Sequence, residues 1–423
     1  LQFARPNRLD RRPFLAHSSV VQPDSVIRHP PFAFFWCARV LSSFAYQMQA
    51  VAIGWQVYAL TSSAFDLGLV GLAQFVPVVL LTLVAGHTAD RYDRRRIVQL
   101  CQAVECMASL TLATGTAFGW LGVHGIFGIV ALVGAARAFE APTLSALMPG
   151  LVSRASLSQA SAWSASANQT ASIVGPAFGG VLYAVGAPVP FACVAGLYLL
   201  AILFVALIRI EHVPPAREPI SLQSVFLGIV FIRHNPAILG AISLDLFAVL
   251  LGGATALLPI FARDILHTGS WGLGLLRASP AVGALTMSVL LAHRPLRRRA
   301  GHIMFGAVIV FGMATIVFAL SHSILLSVAA LGVLGAADVV SVVVRYSLVQ
   351  SNTPDTMRGR VSAVNTLFIG TSNQLGEFES GMAAAALGTV PATVLGGVGT
   401  IVVALLWMRW FPALREVDSL AAK

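Results

Sequence analysis

The chain has 423 residues, of which 57% are hydrophobic and only 10% charged, and its formal net charge is +10. Soluble globular proteins carry about 25% charged residues, and a water-soluble fold of this length has nowhere to hide so much apolar surface. Lipid is the solvent that suits the composition. The basic residues sit in short clusters between long apolar runs, which sets aside a nucleic-acid partner.

Residues 1–30 are Arg-rich, lack an apolar core, and are read as a disordered cytoplasmic arm. Apolar runs of about 20 residues then give twelve spans. In the first half they cover about 32–60, 66–86, 97–119, 124–148, 160–185 and 188–209. A polar stretch over 211–236 is read as a cytoplasmic linker. Six more spans cover about 237–262, 271–292, 302–320, 323–350, 362–387 and 390–411, before a cytoplasmic tail over 413–423. The expected domains are an N-terminal six-helix bundle over 31–210 and a C-terminal one over 237–412.

Arginine placement orients the bundle. Arg91, Arg94, Arg95, Arg96, Arg154, Arg209, Arg217, Arg233, Arg294, Arg297, Arg298, Arg299, Arg358 and Arg360 fall in alternate connections, while the segments around Gly122, Ala187, His322 and Thr389 have no Arg or Lys. The positive-inside rule then puts both termini in the cytoplasm. The halves also repeat weakly: a basic loop recurs at Asp90–Arg96 and Arg294–Arg299, about 200 residues apart. Two six-helix halves around a cavity are a transporter plan.

Polar residues inside lipid need a reason. The carboxylates Glu140, Asp245, Asp338, Glu377 and Glu379 are candidates for proton coupling, with Arg39, Arg137 and Arg345 as charge partners. Glu105 and Arg277 are further intramembrane charges. Arg137 and Glu140, three apart, share a helix face; Asp338 and Arg345, seven apart, also share one. Glu377 and Glu379, two apart, point about 200° from each other, so only one faces a central cavity well. Gln47, Gln49, Gln56, Asn168, Gln169, Asn365 and Asn373 are candidate cavity-lining residues, because an amide in lipid needs a partner or water. There is no phosphate-binding glycine loop ending in Gly-Lys-Ser/Thr and no metal-ligand spacing of Cys and His, so neither an enzyme, a cofactor nor a metal site is expected.

Two motifs carry a family resemblance. Gly86-His-Thr-Ala-Asp90-Arg91-Tyr-Asp-Arg94-Arg95 lies between spans 2 and 3, and Gly175-Pro176-Ala-Phe-Gly179-Gly180 lies in span 5. Both resemble elements of the major facilitator superfamily. The stretches Asp245–Asp264, Leu273–Pro280, Met357–Asn365 and Gly376–Gly381 are similar to its enterobactin-exporter-like subgroup, the transmembrane secretion effectors. The resemblance implies a conformational latch at Gly86, Asp90, Arg91, Arg94 and Arg95, with Asp90 beside a helix N-terminus. It implies an exporter-type hinge at Gly175, Pro176, Gly179 and Gly180. It further implies an all-α membrane protein of twelve helices in two pseudo-symmetric bundles, working as a single copy in a bacterial inner membrane. Such a protein exports a siderophore, drug or other secondary metabolite in exchange for protons, with lipid as its other partner. An importer driven by proton symport is the first alternative, and a non-transporting sensor or assembly partner the second.

Overall fold

The computed structural model describes residues 26–209, 222–294 and 299–418. The arm before Val26, residues 210–221 at the start of the linker, residues 295–298 with Arg297 and Arg298, and the tail after Asp418 lie outside the described residues.

Twelve long helices cross the molecule. The first half has α1 (Pro30–Thr61), α2 (Ala64–Arg91), α3 (Arg94–Phe118), α4 (Val123–Leu147), α5 (Leu157–Val185) and α6 (Val189–Leu207). A short α7 (Leu222–His234) precedes α8 (Pro236–Leu251). Span 7 continues from α8 through a 3₁₀ turn, the short α9 (Leu258–Ile260) and a π-helical turn over Phe261–Ile265. The second half is completed by α10 (Gly269–His293), α11 (Ala300–Leu320), α12 (Ile324–Asn352), α13 (Asp355–Leu387) and α14 (Thr389–Trp410), with α15 (Pro412–Arg415) as a final turn. Helices satisfy their own backbone groups, which lipid demands. Nine of the spans, among the described residues, are apolar enough to be recognised as membrane-crossing from composition alone. The exceptions, α1, α5 and α13, carry amides, hydroxyls or acids along their length.

The boundaries follow local chemistry. Pro30 and Pro236 occupy first turns, where the missing N–H costs nothing. Ser63 Oγ caps α2 by accepting from Asp66 N, and Asn235 caps α8 through Ile238 N. Gly119 ends α3 in the left-handed conformation, at φ +70°.

Two expectations need correction. Residues 222–234 were expected within a polar linker, but Ile229, Phe231 and Ile232 pack with Ile238, Val361 and Val364 as the buried side of an amphipathic helix. Its Phe226 and Val230 are exposed. Asp90 was expected beside a helix N-terminus; it lies instead in the last turn of α2, and Asp93 is the residue that caps α3.

Among the described residues, the apolar clusters of the two halves merge at one end. At the end away from the arginine-rich connections, a single apolar cluster draws on both halves: Val57, Leu67, Leu112 and Phe191 from the first, Leu257, Phe261, Leu273, Phe318 and Ala384 from the second. At the basic end the clusters stay separate. Phe32, Phe35, Val98 and Leu147 belong to the first half alone, and Leu244, Phe305, Val344 and Trp407 to the second alone.

Candidate functional site

Small residues make the seal between halves. Gly175 and Gly179, one turn apart, lie against α1, where an added Cβ would stand 2.7 Å from Gln47 Cβ and 2.8 Å from Met48 O. Gly180, on the next face, lies against α10: a Cβ there would stand 2.4 Å from Ser270 O and 3.0 Å from Gly274 Cα. The Pro176 carbonyl meets Gly274 in the same seam. The motif is therefore two-sided. One face fixes α5 to α1 within the first half, and the other touches the second half. Without a hydrophobic drive between helices in lipid, such close packing is what joins them. A matching seam runs between α2 and α13, through Gly68 on Gly381 and the rings of Phe65 and Phe378, 6.3 Å apart.

Polar links reinforce the seal. The Tyr58 hydroxyl at the end of α1 donates to the Asp264 carboxylate, and Arg263 Nη1 donates to the Tyr58 carbonyl at 3.2 Å. The Arg263 guanidinium also lies 5.5 Å from the Tyr58 ring centre. Both partners sit in the π-helical turn, a geometry frequent at functional positions.

At the basic end Arg94 and Arg95 tie together helices of the first half. Arg94 Nη1 donates to Ala146 O at the end of α4 (2.8 Å), and Arg95 Nη1 donates to Ile208 O at the end of α6 (2.7 Å). Both satisfy carbonyls that a helix C-terminus leaves open. Asp93 holds Arg95 in place at 3.1 Å. Burial pushes the Asp93 carboxyl up, but its hydrogen bonds to Arg95 and the charges of Arg95 and Arg96 outweigh that and hold it below its ordinary value. Arg91 is exposed at the end of α2, and nothing lies within 4 Å of a Cβ built on Gly86. The Asp90 side chain lies outside the described residues.

Between the sealed end and the basic end lie two cavities. The first, of about 710 Å³ counting its open mouth, is lined by Tyr46, Gln49, Gln74, Arg277, Gln374 and Glu377 among apolar residues of α1, α2 and α4. The second, of about 1070 Å³ counting its open mouth, is lined by Gln169, Ser172, Phe311, Asp338, Asn373 and Glu377. Glu377 is the one lining residue they share. It rests on α2, where a Cβ on Gly71 would come 3.0 Å from the Glu377 Cβ, so it is a wall between cavities at the junction of the halves.

The other candidates fall in distinct places. Asp245 forms a buried ion pair with Arg345, and Asp338 lines a small adjoining space with Asp245 and Ser341. Arg345 thus bonds to α8, a hundred residues away, rather than to Asp338 on its own helix. Glu379 lies in a separate small pocket with Thr315, Ser380 and Thr393. Glu140 belongs to a buried cluster in the first half: Arg137 Nη1 lies 3.5 Å from it, and Gln102 donates to it at 3.1 Å. Arg39 is within electrostatic reach of both, and the Arg137 guanidinium sits 3.8 Å over the Tyr46 ring. Gln47 donates to Ser172, Asn168 accepts from Ser43, and Gln56 accepts from Tyr183, so all three knit α1 to α5. Asn373 lines the second cavity; Asn365 is buried, and neither of its amide atoms has a partner.

Sequence reasoning named Gln49 among its polar candidates but passed over Gln74 and Gln374 as cavity-lining residues. Both amide atoms of Gln49, which is only 2% exposed, and the amide oxygen of Gln374 have no hydrogen-bond partner. An amide cut off from water and protein is a costly arrangement that a ligand or water would relieve.

The sequence profile of a family described as transmembrane secretion effector matches residues 22–423. The chain belongs to this family. Among its curated relatives, the enterobactin exporter EntS of Citrobacter koseri is 29% identical over 92% of this chain and 93% of its own length. The enterobactin exporter EntS of Escherichia coli O1:K1 is 27% identical over the same shares. Of solved structures, a bacterial homologue of the human lysosomal transporter Spinster, inward-facing and unoccupied, superposes with a TM-score of 0.74 at 14% identity, covering 91% of this chain and 98% of its own. A mutant of the nucleoside transporter NupG superposes with a TM-score of 0.70 at 14% identity, covering 90% and 100%. The secretion effector is therefore a multi-pass membrane transporter of the major facilitator fold, with a small molecule as its substrate, and not an enzyme.

Proposed function

We propose that this transporter exports a small molecule across a bacterial inner membrane in exchange for protons, and that the described state opens to the cytoplasm. The arginine-rich end is the cytoplasmic end, since basic residues retained on that side set orientation. The termini and the Arg94–Arg95 cluster then face the cytoplasm, where the arginines also meet lipid phosphates. The bundles over 31–210 and 237–412 rock against each other in a single copy of the chain. The seams of Gly180 on Gly274 and Gly68 on Gly381 part, while the basic ends close.

The observation that carries the reading is the position of Glu377 and Asp338. Both carboxylates line the second cavity, and Glu377 also lines the first. A carboxylate exposed alternately to two sides can take a proton from one and release it to the other, and a ligand shifts the populations of the two states. One charge crossing 100 mV is worth about 2.3 kcal/mol, so a single proton at roughly 150 mV supports a cargo gradient of a few hundred-fold. Asp245 holds Arg345 and acts through Asp338. The relatives named as exporters support the outward direction.

Everted vesicles carrying the chain, with an imposed pH gradient and a panel of labelled small molecules, test this. Export predicts accumulation inside everted vesicles that collapses when the gradient is dissipated and is lost in E377Q. Accumulation only in right-side-out vesicles would make the chain an importer. Movement indifferent to the gradient would end the proton-exchange reading.

A further inference from the structure

We infer that the central cavities select an organic cation, one that carries its positive charge on an apolar body, and that this cargo and the proton compete for the same two carboxylates. The inference deepens the transport reading and rests on it for the identity of the site.

Three observations converge. The described lining of the second cavity contains Asp338 and Glu377 and no Arg, Lys or His. The first cavity adds one cation, Arg277, which faces Glu377 as its countercharge. Across both linings there are two acids and one base, so one negative charge is left without a partner inside the passage. The nearest other cations are already engaged: Arg345 with Asp245, and Arg137 with Glu140 and the Tyr46 ring. An uncompensated charge in such surroundings is expensive until a counter-ion arrives. The remaining lining fits an apolar body with a few directing groups. Ile53, Leu67, Val70, Val130 and Val133 form one wall of the first cavity, and Phe311, Leu331 and Leu334 one wall of the second. The unpartnered amide of Gln49, buried and lining the first cavity, supplies an acceptor and donors beside the acid.

An anion would meet the opposite situation. Its one countercharge is Arg277, and binding there would pull Arg277 from Glu377 and strand that carboxylate. The groups that set the charge on the two acids are accounted for on every side. Asp338 faces Asp245 from α8 and Arg345 on its own helix and shares the lining of the second cavity with Glu377; Glu377 faces Arg277 from α10 and the bare backbone of Gly71 on α2. Protonating either acid removes the attraction for a cation, so proton and cargo exclude each other at one place. That exclusion is the coupling an exchanger requires.

The test uses two ions of one shape and opposite sign. Purified full-length chain in lipid nanodiscs is titrated with labelled tetraphenylphosphonium, with unlabelled tetraphenylborate as competitor and empty nanodiscs as the partition control. The expected result is saturable tetraphenylphosphonium binding that weakens as pH falls. D338N and E377Q each weaken it at least tenfold, the exposed and distant E416Q leaves it unchanged, and tetraphenylborate does not compete. The thermal unfolding midpoint of each variant separates a lost charge from a lost fold. Where D338N or E377Q does not fold, the pH dependence and the borate competition of the unaltered chain still decide. Binding of the borate as tight as the phosphonium, or phosphonium binding indifferent to pH and to both substitutions, overturns the inference. Transport keeps the two readings apart. Gradient-driven movement of anionic compounds alone would overturn the cation selectivity and leave proton-coupled export standing. Carboxylate-dependent phosphonium binding, with no compound of any charge moved by the gradient, would uphold the selectivity and overturn export.

Discussion

Replacing Tyr58 by Phe removes one oxygen from the seal and leaves its apolar packing intact. The hydroxyl donates to Asp264, on the opposite half of the molecule, so the bond exists only while that end is closed. A hydrogen bond to a charged group contributes about 1.5–3 kcal/mol net. The Asp264 side chain is 48% exposed and can rehydrate when it loses its partner, so the low end of that range applies, about 1.5 kcal/mol. That is roughly a tenfold shift toward the state open at this end. The shift stops there because Arg263 still reaches the Tyr58 carbonyl and the apolar cluster around Val57 and Phe261 still closes. In a cysteine-free background, spin labels at Phe118 and Leu325, exposed at this end on opposite halves, report the opening by electron–electron distance measurement. A second pair at Tyr92 and Trp410 reports the basic end. Y58F and D264N should each raise the long-distance population of the first pair about tenfold and shorten the second pair. Unchanged distances in both variants would show that the apolar cluster alone sets the equilibrium.

Gly180→Val places a side chain where a Cβ already stands 2.4 Å from Ser270 O. Overpacking of this kind costs about 1–3 kcal/mol, and the same spin-label pairs should show the sealed end held open, with export lost. Breaking the buried Asp245–Arg345 pair by D245A or R345A should cost about 3–5 kcal/mol, while replacing both by apolar residues should recover most of it; thermal unfolding in detergent measures both. D93A removes the cap that accepts from Arg95 N at 2.9 Å and should cost about 0.5–2 kcal/mol. Because Asp93 is held below its ordinary value, its contribution is present above that ordinary value. It is lost as pH falls through the depressed one, so the D93A deficit should be constant from pH 5 to 8 and shrink only in stronger acid.

The twelve spans were legible because an apolar run long enough to cross lipid is a local property, and the arginines marking their ends are local too. The described helices overrun the expected spans mainly where polar residues continue the helix past the bilayer, as α13 does from Asp355 and α2 does to Arg91. The amphipathic α7 was missed because its apolar face is short and flanked by charge. The partner of Arg345 was not legible either. Residues sharing a helix face advertise themselves through spacing, whereas the choice of Asp245 is made by how α8 packs on α12. Gln374 escaped for the same reason: nothing in its neighbours along the chain says that its amide ends in a cavity.

The two halves share a fold and divide the chemistry unequally. In the first half the buried acid Glu140 is met by Arg137 and Gln102, and the cluster stands behind Tyr46 rather than in either cavity. That half presents amides and rings to the passage: Tyr46, Gln49, Gln74 and Gln169. In the second half Asp338 and Glu377 stand in the passage itself. On the proposed rocking about the glycine seams, a neutral, hydrogen-bonding surface would move across a charged one. The charge state of the second half would then set what is held, and the contacts of the first how its bulk is oriented. This division predicts that Q49A and Q49E act differently. The first removes an orienting group from the neutral wall. It should weaken binding of hydrogen-bonding cargo several-fold while leaving the pH dependence of transport in place. The second adds a third acid beneath the seal, and should move the pH at which cargo and proton exchange. A Q49A variant whose pH profile shifts as far as that of Q49E would show that the two halves do not divide the work.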